Sequence, residues 1–158
     1  MNAESIQRGF TQITWPGRFE ILQRQPPVVV DSAHNRDSAK RLRQALDDYF
    51  PGMPVIMVFG ASEDKDIAGM FAELSMRVHE VVATKSYHPR AIEPEHLVDI
   101  ANQYGKSAKI VANIPDALLV ALDLADGDKL TLVTGSIFVV AATREAWMAR
   151  AVKLESGR

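Results

Sequence analysis

Three consecutive β-branched residues, Val28-Val29-Val30, run straight into Asp31-Ser32-Ala33-His34-Asn35, and an amphipathic segment follows at once. An uninterrupted apolar triplet is what a strand buried on both faces requires, and such strands belong to parallel sheets covered by helices. The succession of strand, polar turn and helix recurs at Pro54 to Phe59, Val78 to Thr84, Lys109 to Ala112 and Lys129 to Thr134. A further strand, Arg18 to Gln23, follows Trp15-Pro16-Gly17 and is broken by Pro26-Pro27. The pattern predicts an α/β fold: a Rossmann-like, doubly wound, mostly parallel sheet of about six strands with helices on both faces.

The helical segments carry their own signals. Asn35 or Asp37 can cap the first, whose Ala39, Leu42, Ala45, Leu46 and Tyr49 share one face. The second starts near Asp66 and places Ile67, Met70, Phe71 and Leu74 at i, i+3, i+4 and i+7. Glu93-Pro94-Glu95 opens a third, with proline in the first turn and Leu97, Ile100, Ala101 and Tyr104 inward. Asp116 to Ala125 is a fourth; after Gly135-Ser136 a fifth carries Ile137, Val140, Ala141, Trp147 and Met148.

A chain of 158 residues builds one domain with a full core. Its expected extent is 15–150, with 1–14 as a remnant of an upstream domain or linker and 151–158 as a flexible tail. A net charge of −2 gives no electrostatic case for nucleic acid or an anionic membrane. The absence of cysteine excludes disulfides, thiolate chemistry and cysteine zinc sites, and fits a cytoplasmic protein. No apolar run approaches the roughly 20 residues that span a bilayer, and Met1-Asn2-Ala3-Glu4-Ser5 lacks the marks of a secretory signal.

Four polar turns follow strands: Asp31 to Asn35, Gly60 to Asp66, Lys85 to Arg90 and Thr134 to Ser136. In a doubly wound sheet they share the rim where ligands bind. Asp31 can accept from both hydroxyls of a ribose or stabilise its own turn. His34 suits a ribose or phosphate, or a structural hydrogen bond. Arg18 is a candidate anion clamp or an ordinary surface arginine, and Lys65 a ligand group or part of a solvated charged face. Lys85, His88 and Arg90 form a basic cluster suited to carboxylate or phosphate. Ser136 with Gly135 offers an anion free N–H groups and a hydroxyl, or simply caps a helix. There is no G-x-x-x-x-G-K-[ST] loop, no G-x-G-x-x-G and no metal-ligand spacing among the four histidines. From its residues, this is an anion- and nucleotide-contacting domain without the means to hold a triphosphate alone.

Five motifs in order carry a resemblance across nearly the whole chain, Trp15 to about Trp147: Trp15-Pro16-Gly17-Arg18-Phe19-Glu20, Asp31-Ser32-Ala33-His34-Asn35, Val58-Phe59-Gly60 with Asp64-Lys65-Asp66, Pro89-Arg90-Ala91, and Thr134-Gly135-Ser136. Together they resemble the C-terminal domain of the folylpolyglutamate and dihydrofolate synthases of the Mur ligase superfamily. The resemblance implies a partner, an N-terminal P-loop ATPase domain. It implies ATP and magnesium, the metal held by that domain, with folate and glutamate as substrates joined through an acyl phosphate. It places Arg18 at the transferring phosphate as the catalytic group, and Asp31, His34 and Asn35 at the nucleotide. It places Lys65 and Ser136 at the carboxylates of the incoming amino acid, and Arg90 among the substrate-binding residues as a carboxylate or phosphate ligand. The chain by itself is expected to be inactive. Ser32 stands where a glycine is frequent. Alternatives are the C-terminal domain of a muramyl-peptide amino-acid ligase and a stand-alone nucleotide- or anion-binding module.

Overall fold

A computed structural model describes residues 15–157. The expectation for 1–14 falls outside them. Six strands form one sheet: β1 (Glu20–Arg24), β2 (Pro27–Val30), β3 (Val55–Phe59), β4 (Val78–Ala83), β5 (Ser107–Ile110) and β6 (Leu130–Thr134). Their spatial order is β1-β2-β6-β3-β4-β5, with β1 antiparallel to β2 and every other pair parallel. The helices are α1 (Arg36–Tyr49), α2 (Ile67–Leu74), α3 (Pro94–Gln103), α4 (Ile114–Ala125) and α5 (Ile137–Ser156).

Burial explains the layering. β2, β3 and β6 are buried along their whole length, so each must be covered on both faces. On one face Val29, Met57 and Leu132 meet Leu42 and Leu46 of α1, Met70 and Phe71 of α2, and Leu97 of α3. On the other, Val30, Val58 and Val133 meet Leu118 and Ala121 of α4, and Val139 and Val140 of α5. β6 is inserted between β2 and β3, yet its chain leaves toward the opposite face from theirs. This is the switch point at which doubly wound sheets bind ligands.

Local signals fix most starts. Asn35 caps α1 by accepting from Ser38 N at 2.8 Å, while Ser38 Oγ accepts from Asn35 N at 3.2 Å. Such a box stabilises a helix start by about 1 kcal/mol. Asp66 caps α2 through Gly69 N at 2.9 Å, and Asn113 caps α4 through Asp116 N at 3.0 Å.

Four expectations are corrected. The first strand begins at Glu20, because Phe19 adopts φ +41° and turns its ring onto Tyr49, 5.3 Å between centroids. The fifth strand is Ser107–Ile110, two residues earlier than the apolar run suggested; it is an exposed edge whose register follows β4. The inner face of α5 is Val139, Val140, Ala142 and Thr143, leaving Ile137, Ala141 and Met148 exposed. Ile137 to Ala142 is apolar all round, so periodicity could not choose a side. α5 also continues to Ser156, whose hydroxyl donates to Val152 O at 2.7 Å, so the segment from 151 is helix rather than a flexible tail up to that point.

Candidate functional site

The four polar turns meet at one rim. Arg18, Ser32, His34, Lys65, Arg90 and Ser136 line a single cleft of about 290 Å³, with His88 and Asp64 beside them. A second cleft of about 320 Å³ adjoins it along α1, walled by Phe19, Leu42 and Ala45 and edged by Asp31, Ser38 and Arg41. Arg18, Ser32 and His34 border both. Lys85 leaves the basic group: its ammonium pairs with Glu93 at 2.6 Å and lies outside both clefts.

Asp31 has two structural bonds. One carboxylate oxygen accepts from Phe19 N at 2.7 Å and the other from Ala33 N at 2.8 Å. The carboxylate therefore ties the turn that carries Arg18 to the turn that carries His34. Ser32 N adds a bond to Gly17 O at 2.8 Å. Each Asp31 oxygen keeps further acceptor capacity, and the side chain is half-buried. Ser32 does not have a positive φ, so serine occupies this position without backbone strain.

Burial raises the Asp31 pKa above its ordinary 3.8, although the amides of Phe19 and Ala33 and the charge of Arg18 oppose the rise. A carboxyl whose folded pKa is raised binds protons more tightly in the folded state. Its contribution is therefore full below 3.8 and is lost as pH climbs through the folded value. The difference in unfolding free energy between wild type and Asp31→Asn is expected to shrink over that interval and then stay flat. Urea unfolding at a series of pH values measures it, and a difference that grows with pH contradicts the assignment.

His34 is exposed, its Nδ1 lying 3.1 Å from Ser32 O. Asn35 spends its carbonyl on the α1 cap, which leaves its NH₂ as the free group. At the far side of the cleft Asp64 stands 3.5 Å from Lys65 Nζ and 3.7 Å from Arg90. The Ser62 hydroxyl, with the charges of Arg90 and Lys65, holds the Asp64 carboxyl below its ordinary value. Ser136 Oγ accepts from Phe138 N at 3.1 Å as the α5 cap and lies 3.3 Å from Ser86 Oγ. His88 Nδ1 accepts from Arg90 N at 3.0 Å, and its ring stands edge-on to Phe138 at 5.5 Å. Ile137 and Phe138, exposed at the start of α5, give the cleft an apolar lip.

Sequence reasoning missed Glu20 and Arg144. Glu20 accepts from Gly17 N at 2.8 Å and from Arg144 at 2.7 and 3.2 Å. No local pattern announces a pair separated by 124 positions.

A doubly wound sheet with cationic, serine-lined clefts at the carboxyl ends of its central strands defines a Rossmann-like domain. A family model described as Mur ligase, glutamate ligase domain, matches residues 17–137, and the chain belongs to that family. It is 37% identical over 148 residues to a probable bifunctional folylpolyglutamate synthase/dihydropteroate synthase of Haloferax volcanii, covering 93% of this chain and 17% of that protein. Among solved structures it resembles Mycobacterium tuberculosis folylpolyglutamate synthase complexed with ADP and AMPPCP, with a TM-score of 0.83 and 29% identity over 93% of this chain and 35% of that one. It also resembles the Yersinia pestis bifunctional folylpolyglutamate synthase/dihydrofolate synthase with Mn, AMPPNP and L-glutamate bound, with a TM-score of 0.79 and 31% identity over 94% and 35%. The chain thus spans about a third of the length of these structures.

Proposed function

We propose that the chain is the C-terminal domain of an ATP-dependent ligase that adds glutamate to (dihydro)folate or dihydropteroate. The acceptor's carboxylate oxygen attacks the γ-phosphorus of ATP and ADP leaves. The glutamate amine, having lost a proton, then attacks the acyl carbon of the acyl phosphate, and phosphate departs. The observation that carries the reading is the position of Arg18 between two adjoining clefts. One has apolar walls and a carboxylate, as an adenosine needs; the other presents Lys65, Arg90 and Ser136, as a dicarboxylic amino acid needs.

In this reading His34, the spare acceptor capacity of Asp31 and the Asn35 amide face the nucleotide. Arg18 stabilises charge on the transferring phosphoryl group. Lys65, Arg90 and Ser136 take the carboxylates of glutamate. Among the described residues no group of three or more His, Asp or Glu side chains could hold a metal ion. The magnesium that accompanies ATP is assigned, on the resemblance, to an N-terminal P-loop ATPase domain, the partner across the rim. No helix among the described residues is long and apolar enough to cross a membrane.

Amide shift mapping on the chain alone tests the division of the clefts. L-glutamate is expected to perturb Lys65, Arg90 and Ser136, and ADP to perturb Arg18, His34 and Asn35, both with weak affinity and without turnover. Folate-dependent ATP hydrolysis by this chain alone, or both ligands perturbing one cleft, overturns the reading. A full-length ligase that accepts a muramyl peptide and not a folate overturns the acceptor assignment.

A further inference from the structure

Arg18 stands in a turn that is held from two sides: Asp31 accepts from Phe19 N at 2.7 Å and Ser32 N donates to Gly17 O at 2.8 Å on the β2 side, and α5 holds it on the other. Among the described residues the turn has one internal backbone bond, from Arg18 N to Trp15 O at 3.0 Å, and it ends in Phe19 at a φ of +41°, which non-glycine residues rarely adopt. The α5 side is built around Glu20. Glu20 grips the turn at Gly17 N, 2.8 Å away, and is itself gripped in bidentate fashion by Arg144 of α5 at 2.7 and 3.2 Å. The Glu20 side chain is only 11% exposed and that of Arg144 26%, so this is a desolvated, geometrically specific pair rather than a loose surface one. Gly17 also packs tightly on α5, where an added Cβ would lie 3.2 Å from Val140. The same helix begins at Ser136 and supplies Ile137 and Phe138 to the cleft.

From this geometry we infer that Glu20 and Arg144 are positioning residues. They lock the Arg18 turn onto α5, so that the guanidinium and the Ser136 end of the cleft move as one unit. Neither side chain lines either cleft, so their influence on chemistry passes through Arg18. The inference rests on the reading of Arg18 as the phosphoryl-contacting group. An error of about 1 Å in the placement of such a group can cost roughly 100-fold in rate.

Two measurements test it. In the 158-residue chain, Arg144→Met and Glu20→Gln are expected to broaden or shift the Gly17 and Arg18 amide resonances while the β3 and β6 amides stay in place. An unchanged Arg18 turn in both folded variants overturns the inference. In the full-length ligase, Arg144→Met is expected to lower kcat roughly tenfold to 100-fold with KM for glutamate nearly unchanged. Arg144→Lys should recover part of that loss, because it keeps the charge without the fork. The Arg18→Met, Arg144→Met double variant should be no worse than Arg18→Met alone, since the second change acts through a group already removed. Losses that add independently overturn the inference. If the turn loosens but Arg18→Met itself leaves kcat unchanged, the role of Arg18 in the proposed function fails, and with it the catalytic consequence, while the Glu20–Arg144 lock on the turn stands.

Discussion

Replacing Arg18 by methionine in the full-length ligase is expected to lower kcat by about 100- to 1,000-fold, with thermal stability close to wild type. The magnitude is that of removing one preorganised donor aimed at developing charge. The side chain is exposed at the border of the two clefts, so its loss opens no cavity in the core. Surface substitutions of that kind usually change stability by no more than about 0.5 kcal/mol. Arg18→Lys should fall between, because an ammonium keeps the charge but not the planar fork that matches phosphoryl oxygens. Phosphate release in the presence of ATP, folate and glutamate measures both. A loss smaller than about threefold would sink the assignment.

The second large effect concerns folding. Gly135 has φ +106°, and a Cβ placed there would lie 2.5 Å from Gly60 O and 3.1 Å from the buried ring of Phe59. Gly60 is equally confined: its own Cβ would meet Thr84 O at 2.9 Å. At this point the ends of β3, β4 and β6 approach backbone to backbone, joined by Gly60 N to Thr134 O at 3.4 Å and Thr84 N to Phe59 O at 2.9 Å. Gly135→Ala combines a forbidden dihedral with a clash against an immovable carbonyl. It should cost about 3 kcal/mol or more. For a domain of this size that is a fall in Tm of roughly 6–12 °C. A scan of the isolated chain measures it, and a Tm within about 2 °C of wild type would show that the strand ends are less tightly packed than the geometry states.

Where a residue's environment is set by its sequence neighbours, the sequence was readable. The caps at Asn35 and Asp66 and the α2 stripe of Ile67, Met70, Phe71 and Leu74 follow from residues within one or two turns. Where an element is apolar all round or lies at an edge, it was not. The inner face of α5 and the register of β5 are decided by what packs beside them. Asp31 shows the same limit at the site: its residue type suited a ribose equally with a turn, and the structure gives its oxygens to Phe19 N and Ala33 N.

The sequence alone determined the succession of strands and helices and the placing of a polar turn after each central strand, because hydrophobic period and turn chemistry are written in adjacent residues. It also carried the five ordered motifs on which the resemblance to the family rests. Only the tertiary structure inserted β6 between β2 and β3, which brings Ser136 against turns more than 45 residues away in the chain. Only the tertiary structure joined Glu20 to Arg144 across 124 positions. Strand order and ion pairing over such distances are settled by which buried faces match and which charges desolvate together. No local window of the chain contains that information.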